Sequence, residues 1–184
     1  MSKQIEKWET LASQYVYQHN WFAVKTDKCA LPDGRIMEPY YIVEIPDWCN
    51  VIVATDKEEL VMVQQYRYAA GITTIEPPGG IIEKGENPID AAIREMQEET
   101  GYVAAQIDFL CEVYPNPALQ KTKAFFYLAR YAKKNTSTNP DAYEDLNTLL
   151  LPKQKVLEML AADEFYHAAQ TGAIYKAVIA LGWI

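Results

Sequence analysis

Glu95, Glu98 and Glu99 stand three and four residues apart in the stretch GGIIEKGENPIDAAIREMQEETGY, residues 79–102. On a helix such positions are neighbours, so the three carboxylates share one side. A helix gains nothing from this crowding. Glu95 with Glu99 is a like-charge i,i+4 pair that costs roughly 0.2–0.5 kcal/mol. Glu98 and Glu99 also fall in the last turn, where the macrodipole favours cations, and Arg94, four residues before Glu98, relieves only part of the repulsion. A bound divalent cation accounts for the placement better than a solvated acidic face does. Magnesium takes oxygen ligands, commonly a few carboxylates together with substrate phosphates.

The sequence provides a short, well-terminated helix to carry these acids. Asn87 suits an N-cap, and Pro88 at the first helical position brings a ready φ and lacks only an N–H that would be orphaned there. Asp90 places negative charge in the first turn, and Gly101 can take the left-handed conformation that ends a helix. At about 100° per residue, Ile89, Ala92, Ile93 and Met96 form one apolar stripe with the acids to one side of it.

From Gly80 the chain runs through five residues to Glu86, seven more to Arg94-Glu95, then Met96, Glu98-Glu99 and Gly101-Tyr102. This spacing resembles the Nudix box, the signature of hydrolases that cleave a nucleoside diphosphate linked to another group. Every fixed position is filled, and Tyr102 is aromatic where a bulky aliphatic residue is usual. The resemblance implies that Glu95, Glu98 and Glu99, assisted by the Gly79 carbonyl, hold one to three Mg2+ or Mn2+ ions. Glu98 and Glu99 are then catalytic. Such ions neutralise the diphosphate, polarise phosphorus and lower the pKa of an attacking water. Gly80, Glu86 and Arg94 support the motif, with Glu86 paired to Arg94 to fix the loop on the helix. Glu83 reads as solvated loop charge.

Other chemistries find less support. Gly80 and Gly85 have the GxxxxG spacing of a phosphate loop, but Glu86 and Asn87 stand where lysine and a hydroxyl residue belong. The two histidines, His19 and His167, sit in no HExxH motif, which argues against a zinc protease or a histidine triad and leaves them core or surface roles. Cys29, Cys49 and Cys111 lack C-x-x-C spacing, so neither structural zinc nor a disulfide framework is expected. A net charge of −8 disfavours nucleic acid as a partner. No apolar signal core opens the chain and no run approaches eighteen apolar residues, so the expected setting is soluble, cytoplasmic and without a membrane partner.

With 184 residues and 49% hydrophobic composition, one domain with a sizeable core is expected. Residues 3–18 carry apolar positions at helical spacing and read as a helix or an extended arm. Trp21–Ala30 and Tyr40–Ile45 read as strands around the turn LPDGR, making an antiparallel hairpin that ends near Pro46. Val51–Ala54 and Leu60–Tyr66 are further strands, Pro77-Pro78-Gly79-Gly80 interrupts regular structure, and Ile107–Tyr114 and Ala124–Tyr131 are strands again. Residues 133–145 form a polar loop. Leu146–Leu151 is a short apolar run, Pro152 opens a helix reaching Ala161, and a second helical pattern starts at Asp163. Strands around one short helix, with helices at the end, make an α/β fold with a mixed sheet. The Nudix resemblance implies the same: an α/β/α sandwich over residues 47–184, preceded by the N-terminal antiparallel region of residues 1–46.

Outside the box, VQQYRYAAG (63–71) and IEPPGG (75–80) are similar to the ADP-ribose and nucleotide-sugar pyrophosphatase branch of the Nudix family. That likeness makes Arg67 a substrate contact; a surface arginine at a strand end is the other reading. Pro117 falls fifteen residues after Tyr102, near a proline that the ADP-ribose hydrolases carry. Glu144, beside Asp145, occupies the place from which the branch often draws a general base, and reads equally as a loop acid. The N-terminal region resembles that branch's dimerisation region, so a homodimer is implied. Trp21 then either stacks on a base or fills the hairpin. The activity implied is metal-dependent hydrolysis of ADP-ribose or a related nucleotide sugar to a nucleoside monophosphate and a sugar phosphate. The competing readings are hydrolysis of dinucleotides such as NADH or diadenosine polyphosphates, and a nucleotide-binding regulator without turnover.

Overall fold

In the computed structural model, which describes residues 4–139 and 145–184, the chain forms two compact units: Met1–Pro46 with Asn116–Thr122, and Asp47–Pro115 with Lys123–Ile184. The smaller is a three-stranded antiparallel sheet, β1 (Glu9–Gln18), β2 (Ala23–Ala30) and β3 (Ile36–Glu44), in that order. The ambiguous N-terminal stretch is therefore a strand from Glu9 on, paired with β2 from Glu9↔Ala30 to Gln18↔Ala23. Its run Tyr15-Val16-Tyr17, aromatic and β-branched, suits a pleated surface. The turn after β2 closes through the Gly34 amide donating to the Leu31 carbonyl at 2.9 Å, with Gly34 at φ 86°. β2 starts at Ala23, two residues later than the sequence suggests, which leaves Trp21 in the turn and 60% exposed. Residues 116–122 join this unit, the Val43 amide donating to Leu119 O at 2.9 Å and the Tyr40 hydroxyl to Ala118 O at 2.7 Å.

The larger unit is built on a mixed sheet. Its order is β10 (Asn147–Pro152), β5 (Glu59–Arg67), β4 (Trp48–Thr55), β9 (Ala124–Lys134), β7 (Tyr102–Val103). β6 (Ile72–Glu76) pairs with β5, and β8 (Gln106–Val113) pairs with β9. β4 and β9 run parallel, whereas β5 is antiparallel to β4, β6 and β10.

Period-two alternation in the central strands separates two cores. Cys49, Val51 and Val53 of β4 point to one face, with Val61, Tyr127 and Ala129, against Ala91, Ala92 and Met96 of α1 (Pro88–Thr100). Ile52 and Ala54 point to the other, with Leu60, Met62, Phe126 and Leu128. There they meet α2 (Lys153–Ala161) and α3 (Ala168–Ala180) through Val156, Met159, Ile174 and Val178. This is the α/β/α sandwich. Burial on both faces explains why these strands read as unbroken apolar runs, and each such side chain contributes roughly 1.5–3 kcal/mol.

Other elements depart from the sequence reading as well. β6, ITTIE, is short and half polar, so its periodicity gave no strand signal. The run from Leu146 is a strand, β10, paired along β5 from Asn147↔Gln64 to Pro152↔Glu59. α3 begins at Ala168 instead of Asp163, because Asp163 takes a left-handed φ of 55° just past the end of α2. Among the described residues, no helix is long and apolar enough to cross a membrane.

Candidate functional site

α1 is placed by its ends. Asn87 is extended at φ −76°, ψ 140°, Pro88 opens the first turn, and Gly101 stops the helix at φ 71° with its amide donating to Gln97 O. Asn87 caps through its backbone; its side chain donates to Asp90 Oδ2 at 3.2 Å. The buried face is Ala91, Ala92, Glu95, Met96, Glu99 and Thr100. It is rotated from the expected stripe, since Ile89 is 38% exposed. Two of the acids therefore lie on the buried face, Glu95 at 8% and Glu99 at 3% exposure.

Carboxylates so placed need partners. Glu99 Oε2 accepts from the Gly79 amide at 2.8 Å. Arg94 Nη1 donates to Glu95 Oε1 at 2.8 Å and to Glu98 Oε2 at 3.1 Å. The same guanidinium grips Glu86 at 3.0 and 3.2 Å and donates to the Ile81 carbonyl at 3.2 Å, fastening the loop to the helix. These bonds from Arg94 hold the Glu86 carboxyl below the usual carboxylate range, and the hydrogen bond to Glu86, with those to Glu95 and Glu98, raises the arginine's own pKa.

Pro77–Gly80 is laid along β4. Asn50 Nδ2 donates to Pro77 O at 2.9 Å and Pro78 O at 3.2 Å. The Val51 amide donates to Pro78 O and the Cys49 amide to Gly80 O, both at 2.9 Å. The approach is close enough to exclude side chains. A Cβ on Gly80 would stand 2.3 Å from Glu95 Oε1, and one on Gly79 would stand 2.1 Å from the Cys49 carbonyl. At Gly79, where backbone atoms are met at a φ of 156°, only glycine fits, whereas at Gly80 the neighbour is the end of the Glu95 side chain.

Among the described residues, no three carboxylates, imidazoles or thiols converge at metal-binding distance. The donor set nonetheless fits a hard divalent cation: oxygen groups only, two of them largely withdrawn from solvent, beside a backbone that admits no Cβ at Gly79.

Gly79, Gly80 and Glu99 line a cleft of about 320 Å³ together with Arg67, His167 and Gln170. Arg67 is held bidentately by Glu76, Nε to Oε1 and Nη2 to Oε2, each at 2.7 Å. Glu76, 2% exposed, also accepts from Thr74 Oγ1. Gln170 Nε2 donates to Glu76 Oε2 at 2.8 Å and to Asn50 Oδ1 at 3.1 Å. Burial alone would raise the Glu76 carboxyl, but the hydrogen bonds from Arg67, Thr74 and Gln170 outweigh it and hold the pKa at about 2. His167 stacks edge-on against Trp48, ring centroids 5.4 Å apart, and partial burial lowers its pKa. Burial pushes the Cys49 thiol up to about 12, so this cleft-lining cysteine is no nucleophile at neutral pH.

Of the residues singled out in the sequence, the larger unit gathers Gly79, Gly80, Glu86, Arg94, Glu95, Glu98 and Glu99 around one loop and helix, with Arg67 lining the cleft. Trp21 and Pro117 belong to the smaller unit. Glu144 lies outside the described residues. Sequence reasoning passed over Glu76, Asn50 and Gln170, and gave His167 a core or surface role where the structure sets it on the cleft wall. Asn50 carried a faint signal, an amide at the α3-facing position of an apolar strand. Gln170 carried none, being 94 and 120 residues from its partners.

The NUDIX domain model matches residues 47–169, and the model described as the nucleoside diphosphate sugar hydrolase N-terminal domain matches residues 8–43. The chain is 28% identical over 175 residues to a methanol dehydrogenase activator of Bacillus methanolicus, covering 95% of this chain and 94% of that one. It is 27% identical over 169 residues to an ADP-ribose pyrophosphatase of Bacillus subtilis, covering 90% of each. The crystal structure of an ADP compounds hydrolase superposes with a TM-score of 0.85 at 21% identity, over all of both chains.

Proposed function

The chain belongs to the NUDIX domain family, and from that premise we propose that it hydrolyses the diphosphate of ADP-ribose or a related nucleotide sugar, releasing a nucleoside monophosphate and a sugar phosphate. One observation carries the reading: Glu99, the glycine pair Gly79-Gly80 and Arg67 line the same cleft. Carboxylates that can take a cation and a guanidinium suited to phosphate oxygens are what a bound diphosphate needs on its two sides. Nudix hydrolases are divalent-metal enzymes. Here Glu95, Glu98, Glu99 and the Gly79 carbonyl would hold Mg2+ or Mn2+, which supplies charge neutralisation and a more acidic water. Arg94 keeps Glu95 and Glu98 aligned, and Glu86 anchors Arg94 to the loop. Glu98 and Glu99 are the carboxylates assigned to the reacting water, with Glu144 the further candidate for general base.

The purified protein with MgCl2 or MnCl2, offered ADP-ribose, GDP-mannose, NADH and a diadenosine polyphosphate, is expected to release AMP and ribose 5-phosphate from the first, or the matching pair from the second. Turnover of NADH or the diadenosine compound alone would overturn the substrate assignment, and turnover of none would overturn the reaction.

We further assign residues 1–46 to a homodimer contact and Trp21 to base stacking. Support comes from β1, whose ten residues are all exposed, among them Leu11, Tyr15, Val16 and Tyr17; an apolar strand left open is a site for association. Sedimentation equilibrium is expected to give twice the mass of one chain, and Val16→Asp to give the monomer. A wild-type monomer at micromolar concentration would refute the assignment.

A further inference from the structure

A hydrogen-bonded chain runs through the larger unit from Arg67 to the glycine pair. Arg67 is clamped by Glu76; Glu76 and Asn50 are joined by the single amide of Gln170; Asn50 holds the carbonyls of Pro77 and Pro78; the next amide, that of Gly79, donates to Glu99. Gln170 is 4% exposed and comes from α3, the helix on the face of the sheet opposite α1. Its Nε2 has two protons, and each goes to an oxygen of a different branch of the site.

We propose that Gln170 is a positioning residue: its amide sets Arg67, through Glu76, and the Pro77–Gly80 backbone, through Asn50, at a fixed spacing across the cleft. The inference rests on the hydrolase reading for its effect on turnover, but its structural content does not. A carboxylate at 170 would face the Glu76 carboxylate, and an apolar side chain would leave Asn50 Oδ1 and one Glu76 hydrogen bond unmet in a buried setting. Asn50 and Glu76 lie on β4 and β6, which have no mutual pairing among those observed in the sheet. Gln170 bridges them where the ladder does not.

The test compares Gln170→Met, which keeps volume and removes both donors, with Gln170→Glu, which keeps shape and brings in a charge. Gln170→Met is expected to lower kcat on ADP-ribose by about 10–100-fold, the loss typical of outer residues that orient a site, with KM little changed. Amide exchange in the protein without added metal or substrate gives an independent readout. Gly79 and Val51, whose N–H groups hold the ends of the Pro78–Gly79 segment, should exchange faster, while core amides of β9 such as Leu128 should not. Adding Glu76→Gln to Gln170→Glu removes the facing carboxylates but still leaves an acceptor against Asn50 Oδ1, so protection at Gly79 is expected to stay lost. Unchanged exchange at Gly79 and Val51 in Gln170→Met would overturn the proposal, and so would uniformly faster exchange through β9 or recovered protection at Gly79 in the double variant. Failure of the wild-type protein to hydrolyse any nucleotide sugar would instead strike the hydrolase reading, leaving the exchange result to decide the role of Gln170.

Discussion

The Glu98→Gln variant is expected to lose about three orders of magnitude in turnover while keeping its fold and its affinity for ADP-ribose. The site's geometry separates these effects. Glu98 is the most exposed of the three acids, its side chain at 41%, and the contact that orients it is with Arg94 at 3.1 Å, one helical turn back. An exposed i,i+4 pair of this kind is worth about 0.3–0.5 kcal/mol, so urea unfolding should shift by no more than that. Glutamine matches glutamate in shape and removes the charge. A cation ligand that loses its charge forfeits several kcal/mol of transition-state stabilisation, and at about 1.4 kcal/mol per decade that is about a thousandfold. Glu83→Gln, an exposed loop acid of the same box, is the control and should match wild type. Turnover by Glu98→Gln equal to wild type would show that the metal assignment is wrong; retained ADP-ribose binding in a calorimeter with turnover lost would support it.

The same helix shows what the sequence could reveal and what it could not. The spacing of Gly80, Glu86, Arg94, Glu95, Glu98 and Glu99 is a local pattern, so the box, its helix and both helix ends were legible from residue types alone. So was a mixed sheet covered by helices, because strands buried on both faces have apolar runs that need no partner to be recognised; the α/β/α sandwich was implied by the Nudix resemblance. The buried side of α1 was not legible. Ile89 and Ile93 outweigh two glutamates in any apolar stripe, yet Glu95 and Glu99 go inward because an arginine and a backbone amide receive them there. For Glu95 the partner is its chain neighbour Arg94, but for Glu99 it is Gly79, 20 residues away. The rest of the cleft is more remote still. Glu76 sat in a five-residue strand too short to show a period, and Gln170 on an apolar helix resembled an ordinary surface amide until the fold set it against β4 and β6. Local chemistry is written locally; the residues that hold it in register come from wherever the topology happens to bring them.

Glu76 gives the largest expected effect on stability, and one with a defined pH signature. Its carboxyl is held at about 2, against 4.5 for a free glutamate. A group whose pKa is depressed on folding stabilises the native state above its unfolded pKa and loses that contribution as pH falls toward the folded one. At about 1.4 kcal/mol per pH unit the contribution is about 3 kcal/mol, present in full above pH 5 or so and gone near pH 2. The charged or titratable neighbours are Arg67, which keeps its charge throughout, and His167, whose pKa partial burial lowers. Glu76→Gln abolishes this titration. It is therefore expected to destabilise the protein by about 3 kcal/mol at pH 7, and the gap between wild type and variant should narrow steadily between pH 5 and 2. Other depressed carboxyls, Asp33, Glu44, Glu86 and Asp108, are common to both proteins and cancel in the difference. Urea unfolding of the pair at a series of pH values measures the gap directly. A difference that stays constant as the pH is lowered would mean that Glu76 is not held ionised by its three donors, and that the clamp on Arg67 is weaker than its two 2.7 Å hydrogen bonds imply.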